Sequence, residues 1–268
     1  MTGTGERMVE AGGILHRVRI DGASGPWVVF SNSLGCTLEM WDGQVAALAA
    51  GNRVLRYDTR GHGRSGSTPG PYDLELLAGD LLGILDVLGV ERCTLVGLSL
   101  GGMIAQHAAL ARPSRFTGLA LADTTSHYGR GVADFWAARA ATALSQGLDS
   151  IAHSTPSRWF TPTLVARDPG LVARYQDMLR STDPEGYAGC CAAIPRIDTT
   201  GCLPSLEMPV SVIVGEQDPS TTVDHARRIH EAIARSGLHV IPEAAHLSNV
   251  EQPQRFTRIL LDLLRGKP

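Results

Sequence analysis

The sequence predicts an α/β protein: a mostly parallel sheet covered by helices on both faces, with a helical segment inserted between two strands. Three observations carry that expectation. Short apolar runs alternate with helix-periodic runs along the chain, the pattern of repeated strand–helix–strand units. Most of these apolar runs are hydrophobic at consecutive positions, as strands buried on both faces require. One long stretch, from about Thr124 to Pro204, breaks the alternation.

Taken in order, Arg17–Ile20 and Trp27–Phe30 flank the turn signal from Asp21-Gly22 to Pro26 and are expected as an opening hairpin. Val54–Asp58, Cys93–Gly97, Gly118–Asp123, Val210–Gly215 and Leu238–Pro242 are the remaining strand expectations. Leu74, Leu77, Leu81, Ile84, Leu85 and Leu88 recur at helical spacing, with Asp73 as cap and Gly89 as stop. A helix is expected over Met103–Ala111, ended by Arg112-Pro113. A last one is expected around Phe256, Ile259, Leu260, Leu263 and Leu264.

Between Thr124 and Pro204 aromatic and arginine residues accumulate in helical patterns instead: Phe135, Trp136, Arg139, Trp159, Phe160 and Tyr175. Because this segment follows a strand end, where α/β sheets bind ligands, it is expected as a lid. The predicted organisation is a core of residues 1–123 and 205–268 with a helical lid over 124–204.

Composition bounds the partners. The 268 residues carry 24 Lys and Arg against 27 Asp and Glu, a net of −3, which excludes a surface-wide polyanion site and with it nucleic acid. Hydrophobic residues at 43% with charged residues at 19% suit a packed core. No apolar run reaches the ~18–20 residues of a membrane span, and Met1–Gly13 lacks a signal-peptide core. Five cysteines (Cys36, Cys93, Cys190, Cys191, Cys202) cannot all pair and show no C-x-x-C spacing, so a cytoplasmic protein with free thiols is expected. Nothing in the sequence specifies an oligomeric state.

The chemistry centres on Gly97-Leu98-Ser99-Leu100-Gly101, a G-x-S-x-G extended by Gly102. It lies between a buried-strand run and a helix, the context that a nucleophile elbow needs. The flanking glycines allow the tight passage, and the helix N-terminus favours developing negative charge. A serine hydroxyl needs a base to take its proton and an acid to orient that base. Asp218 follows the Val210–Gly215 run and His246 follows the Leu238–Pro242 run. The order Ser, acid, His is thus kept, with all three at strand ends on one rim. Glu216, two residues from Asp218, is the competing acid.

Two backbone N–H groups are expected to stabilise an oxyanion: Leu100, after the nucleophile, and Leu34 in the Asn32-Ser33-Leu34-Gly35 loop. Asn32 is a candidate substrate-binding residue or a turn residue. His62 in Arg60-Gly61-His62-Gly63-Arg64-Ser65 is expected to brace a glycine-rich loop, and His107 to serve the core or the surface. His225 and His230 are five apart, not an i, i+4 metal pair. Gly61–Gly70 lacks the Lys-Ser/Thr ending of a phosphate loop. No metal, nucleotide or other cofactor is expected.

With these pieces in view the chain resembles the α/β-hydrolase superfamily over nearly its whole length, and within it the bacterial 3-oxoadipate enol-lactonases. The resemblance rests on Ser31-Asn32-Ser33-Leu34-Gly35 with Met40-Trp41-Asp42, and on Gly97-Leu98-Ser99-Leu100-Gly101-Gly102. It extends through Arg158-Trp159-Phe160-Thr161-Pro162, the run from Asp183-Pro184-Glu185-Gly186-Tyr187 to Ile194, and His246-Leu247-Ser248-Asn249-Val250-Glu251-Gln252-Pro253. Trp136 and Arg139 resemble the family's W-x-x-R and share one helix face. Pro195 departs from the pattern, falling where the family's lid helix continues.

The resemblance implies an eight-stranded sheet and an esterase-type reaction on a small anionic lactone. Such a substrate carries a carboxylate, for which Arg139 is the first partner, Trp136 an apolar wall, and Arg130 and Arg158 the alternatives. Two rivals stand beside this: a carboxylesterase or carbon–carbon bond hydrolase with the same triad, and a ligand sensor without turnover.

Overall fold

The computed structural model describes residues 3–129 and 131–268. The chain runs β1 (Gly5–Ala11), β2 (Ile14–Asp21), β3 (Trp27–Ser31), α1 (Asp42–Ala49), β4 (Arg53–Tyr57), α2 (Leu74–Val87), β5 (Cys93–Leu98), α3 (Leu100–Ala111) and β6 (Phe116–Ala122). There follow α4 (Val132–Gln146), α5 (Asp149–Ser154), α6 (Pro156–Trp159), α7 (Pro162–Arg167), α8 (Pro169–Arg180) and α9 (Pro184–Ala193). The chain then returns to the sheet with β7 (Val210–Gly215), α10 (Val223–Ala232), β8 (Ser236–Ile241), α11 (Ser248–Glu251) and α12 (Pro253–Leu264).

The eight strands form one sheet in the order β1-β2-β4-β3-β5-β6-β7-β8. From β4 to β8 all neighbours are parallel, and β1 and β2 are antiparallel at one edge. Residues in β3, β5 and β7 are buried at every position, because helices cover both faces and no alternate residue meets water. Asp73 accepts from Leu76 N to start α2, and Gly89 leaves the helix at φ +64°, matching the cap and stop read from the sequence.

The expected opening hairpin is corrected. β2 does not pair with β3; it pairs antiparallel with β1 and with β4, while β3 lies parallel between β4 and β5. The hairpin turn is Gly12-Gly13, with φ of +56° and +77°. A two-residue turn with both residues left-handed matches the twist of paired strands. β1 was not expected, since its mixture of Glu6, Arg7 and Glu10 with apolar residues is that of a largely exposed edge strand.

No strand lies among the described residues between β6 and β7; helices α4–α9 fill that interval, with an isolated bridge between His127 and Asp198. α9 ends at Ala193, and a 3₁₀ turn over Ile194–Arg196 takes in Pro195. The insertion rests on the loop after β4, where Asp183 N donates to Gly61 O and Ser67 Oγ to Asp183 Oδ2. That loop is anchored from below by Arg60, whose guanidinium is paired with Asp80 on α2 at 2.6 and 2.8 Å, both side chains almost wholly buried.

Removing one member of a buried pair strands the other charge, at a cost of about 3–5 kcal/mol. Asp80→Ala is expected to lose stability of that order in urea unfolding. A loss below about 1 kcal/mol would show that the pair does not anchor the loop.

Candidate active site

Parallel pairing sends the carboxyl ends of β3, β5, β6, β7 and β8 to one rim. The strand order reverses between β3 and β5, and a crevice opens at such a switch point. Ser99 lies there, between β5 and α3, with φ +58° and ψ −116°. That left-handed backbone is costly for a residue with a Cβ and persists only where the surroundings impose it. Ser99 N donates to Ala122 O, and Thr124 Oγ1 donates to Ser99 O. The end of β6 and the chain just after it thus hold both the N–H and the C=O of Ser99. The glycines around it are required by proximity: a Cβ on Gly97 would sit 2.2 Å from Gly101 O, and one on Gly101 would sit 2.1 Å from Ser31 O.

Ser99 Oγ is 2.9 Å from His246 Nε2, and His246 Nδ1 is 2.8 Å from Asp218 Oδ2. A carboxylate only accepts, so Nδ1 carries the proton and Nε2 is left to accept from the serine. Asp218 also receives Thr221 Oγ1 at 2.7 Å, Ser220 N at 2.7 Å and Thr221 N at 3.1 Å. Burial raises its pKa, but the His246 charge and these hydrogen bonds outweigh burial and the net direction is down. Burial likewise opposes the charged form of His246, while the charge and hydrogen bond of Asp218 prevail and raise it. The pair is poised as carboxylate and a strengthened base. Glu216 is exposed, outside this chain of bonds.

A second buried carboxyl, Asp123 at the end of β6, was not anticipated. It accepts from Gly215 N and from Ser248 Oγ, tying together the loops that carry Asp218 and His246. Burial and the neighbouring Asp218 charge push its pKa up to about 8, so at neutral pH it is mostly uncharged. The signal for it in the sequence was a strand ending in an acid. The loop carrying His246 is also fastened to the insertion. Leu247 N donates to Trp159 O, while Glu251 accepts from Ala245 N through one oxygen and from Thr161 N and Oγ1 through the other.

Leu34 lies in the loop after β3, lining the same cavity as Ser99 and His246. Its neighbour Gly35 donates N–H to His62 Nε2 at 2.9 Å, and His62 Nδ1 meets Arg60 O at 3.0 Å. Burial pushes the His62 pKa down to about 4. The ring is therefore neutral, donating at Nδ1 and accepting at Nε2, and it fixes the Leu34–Gly35 peptide. Leu100 N is the first amide of α3, a helix-start donor with no intrahelical partner.

Above these groups the insertion supplies the cavity wall: Phe135, Trp136, Arg139, Thr155, Arg158 and Tyr187. Arg139 donates Nε to Tyr187 Oη at 2.6 Å and Nη2 to Thr155 Oγ1 at 2.8 Å. Trp136 Nε1 is buried without a hydrogen-bond partner. Arg158 donates to Ser220 Oγ and lies 4.9 Å over the Phe135 ring. Arg130 lies outside the described residues. Asn32 is not brought to the cavity. Its amide donates to Tyr57 O and accepts from Trp41 Nε1 in the core, which corrects the substrate-binding expectation, since both ends of a short side chain are already engaged.

His107 is near Glu75 on the outer side of α3, and His225 caps α10 at Thr222. No group of three or more metal-ligating side chains occurs among the described residues, and no helix there is long and apolar enough to cross a membrane.

Known proteins fit this geometry. A solved enol-lactonase from Burkholderia xenovorans superposes with a TM-score of 0.93 at 38% identity, covering 97% of this chain and 100% of that one. The 3-oxoadipate enol-lactonase 2 of Acinetobacter baylyi is 42% identical over 87% of this chain and 86% of its own. RutD of Pseudomonas savastanoi pv. phaseolicola, named as a carbamate hydrolase, is 27% identical over 95% of this chain and 100% of its own. The α/β-hydrolase fold model matches residues 26–253. On that match, on these relatives and on the sheet itself, the chain belongs to the α/β-hydrolase fold family.

Proposed function

We propose that the protein is a cytoplasmic serine hydrolase that opens the ring of 3-oxoadipate enol-lactone to 3-oxoadipate, a step of the β-ketoadipate route of aromatic catabolism. The observation that carries this reading is the hydrogen-bonded chain Ser99–His246–Asp218 at the foot of a cavity walled by Trp136 and Arg139. The residues 124–204 act as a lid on a core made of 1–123 and 205–268.

In this reading His246 takes the Ser99 proton as Oγ attacks the ring carbonyl, and Asp218 stabilises the imidazolium that forms. The Leu34 and Leu100 amides receive the oxyanion; each such donor is typically worth about 10²–10³ in turnover. Collapse breaks the ring C–O bond and expels an enolate, which takes the His246 proton to become the enol and then tautomerises to the ketone. A water activated by His246 then cleaves the acyl-serine ester and restores Ser99. Arg139, preorganised by Tyr187 and Thr155, holds the substrate carboxylate, and a buried carboxylate requires such a partner. The relatives named as carbamate hydrolases favour a second reading, in which the same machinery acts on a small carbamate.

Steady-state hydrolysis of freshly generated enol-lactone, beside p-nitrophenyl acetate and a carbamate, separates these readings. A strong lactone preference is expected, falling by at least tenfold in Arg139→Ala while acetate turnover holds. Equal, feeble turnover of lactone and acetate, or a carbamate preference, would sink the substrate assignment. Ser99→Ala should lose about three or more powers of ten in turnover with an unchanged melting curve. Near-normal lactone hydrolysis by that variant rules the acyl-enzyme route out.

The base must be neutral to act, and Asp218 raises the His246 pKa. The rate is therefore expected to fall as pH drops through a value above the ordinary histidine pKa of about 6.5. Asp218→Asn should move that acid limb to lower pH and reduce turnover by roughly 10⁴. An unmoved limb would mean that His246 is not the titrating group.

A further inference from the structure

Arg139 and Arg158 both line the cavity over Ser99, and no acidic side chain lines it with them. Among the described residues neither guanidinium has a carboxylate within ion-pairing distance; their hydrogen-bond partners are the hydroxyls of Tyr187, Thr155 and Ser220. Both are partly withdrawn from water. Two unpaired cations in one partly desolvated cavity repel each other and are costly without anionic occupants. Burial and then the Arg139 charge lower the Arg158 pKa, and the opposing charges of Tyr128 and Asp218 do not offset them.

The two cations are not equivalent in position. Arg139 is bonded only to residues of the insertion, Tyr187 and Thr155. Arg158 is bonded to Ser220, whose own amide donates to Asp218, so it stands at the acid–base end. A lactone bearing one carboxylate uses one cation, in the proposed reading Arg139. Hydrolysis changes the count: the monoanionic lactone and one water give a dianion and one proton, and the second carboxylate is created at the carbon that Ser99 attacked.

We infer that Arg158 forms a second anion subsite that takes the carboxylate created by ring opening, so that the cavity binds dicarboxylates more tightly than monocarboxylates of equal length. This rests on the proposed lactone hydrolysis for its biological sense, though not for its test. Arg158 offsets the charge that appears during turnover, and the same contact holds the product back and makes it a competitive inhibitor.

Calorimetric titration of the full-length Ser99→Ala protein with adipate and with hexanoate tests the subsite. Adipate is expected to bind at least tenfold more tightly, and the gap should narrow as salt screens the charges. Arg158→Met in the same background should bring adipate to the hexanoate level and leave hexanoate unchanged. Arg158→Gln, which keeps a polar group for Ser220 without the charge, should do the same and covers the case of a Met variant that fails to fold. Equal binding of the two acids, or a gap that survives both substitutions, overturns the inference. Lactone turnover by the wild type without an adipate preference sinks the subsite alone; an adipate preference in a protein inert towards the lactone leaves the subsite standing and sinks the substrate reading.

Discussion

The site depends on the parallel pairing of β3 with β5, in which Ser31 stands opposite Gly97. That register brings the loop after β3 alongside the turn after β5, and it brings backbone so close that only glycine fits at 97 and 101. A shift of one residue would turn every side chain of a strand to the opposite face. Here it would also displace the loop carrying Leu34 relative to Ser99. The continuous burial of both strands makes the register hard to change, so the apolar core fixes the distance between the turn at Ser99 and the loop carrying Leu34.

On this rigid rim the electrostatics are arranged in layers. Ionised Asp218 is satisfied by three donors besides the imidazole, which keeps it acceptor-only and holds the ring in one tautomer. Asp123, one strand away, is held mostly neutral by burial and by that same charge, so the two carboxyls do different work: one carries charge and the other ties loops. His62 is neutral for a third reason, burial with an acceptor role that a proton would abolish. The positive charge on the cavity lining is carried by Arg139, bonded within the insertion, and by Arg158, which reaches Ser220 beside the buried Asp218. With no carboxylate among the lining residues, these cations set the sign of the field that an entering ligand meets.

Much of this was legible in the chain. The elbow, the acid and the histidine each sit directly after an apolar run, and a parallel sheet brings such positions together whatever the loops do. The α2 cap and stop, and the helical nature of the insertion, followed from local chemistry at Asp73 and Gly89 and from the lack of apolar runs between Thr124 and Pro204. What failed needed partners far away in sequence. β1 is an exposed edge whose polar residues hide its period, and without it Gly12-Gly13 carried no turn expectation. Asn32 looked like a site residue because of where it stands, and only Tyr57 O and Trp41 Nε1 reveal that it faces inward. Asp123 was taken as a strand end; its role exists only through Gly215 and Ser248.

The bonds joining Trp159 and Thr161 to the segment from Ala245 to Glu251 also bear on how such proteins can be recombined. The helical insertion is contiguous in sequence, but its mechanical footing is not: part of it lies 90 positions downstream of Thr161, on a buried glutamate. A chimera that exchanges the insertion alone keeps the backbone bonds of that footing but loses the Thr161 hydroxyl bond wherever the donor lacks it, beside the segment bearing His246. One that carries residues 245–251 along with it keeps the two sides matched. The footing of the cavity wall is thus discontinuous in sequence, and an exchange of parts that respects it takes two segments rather than one.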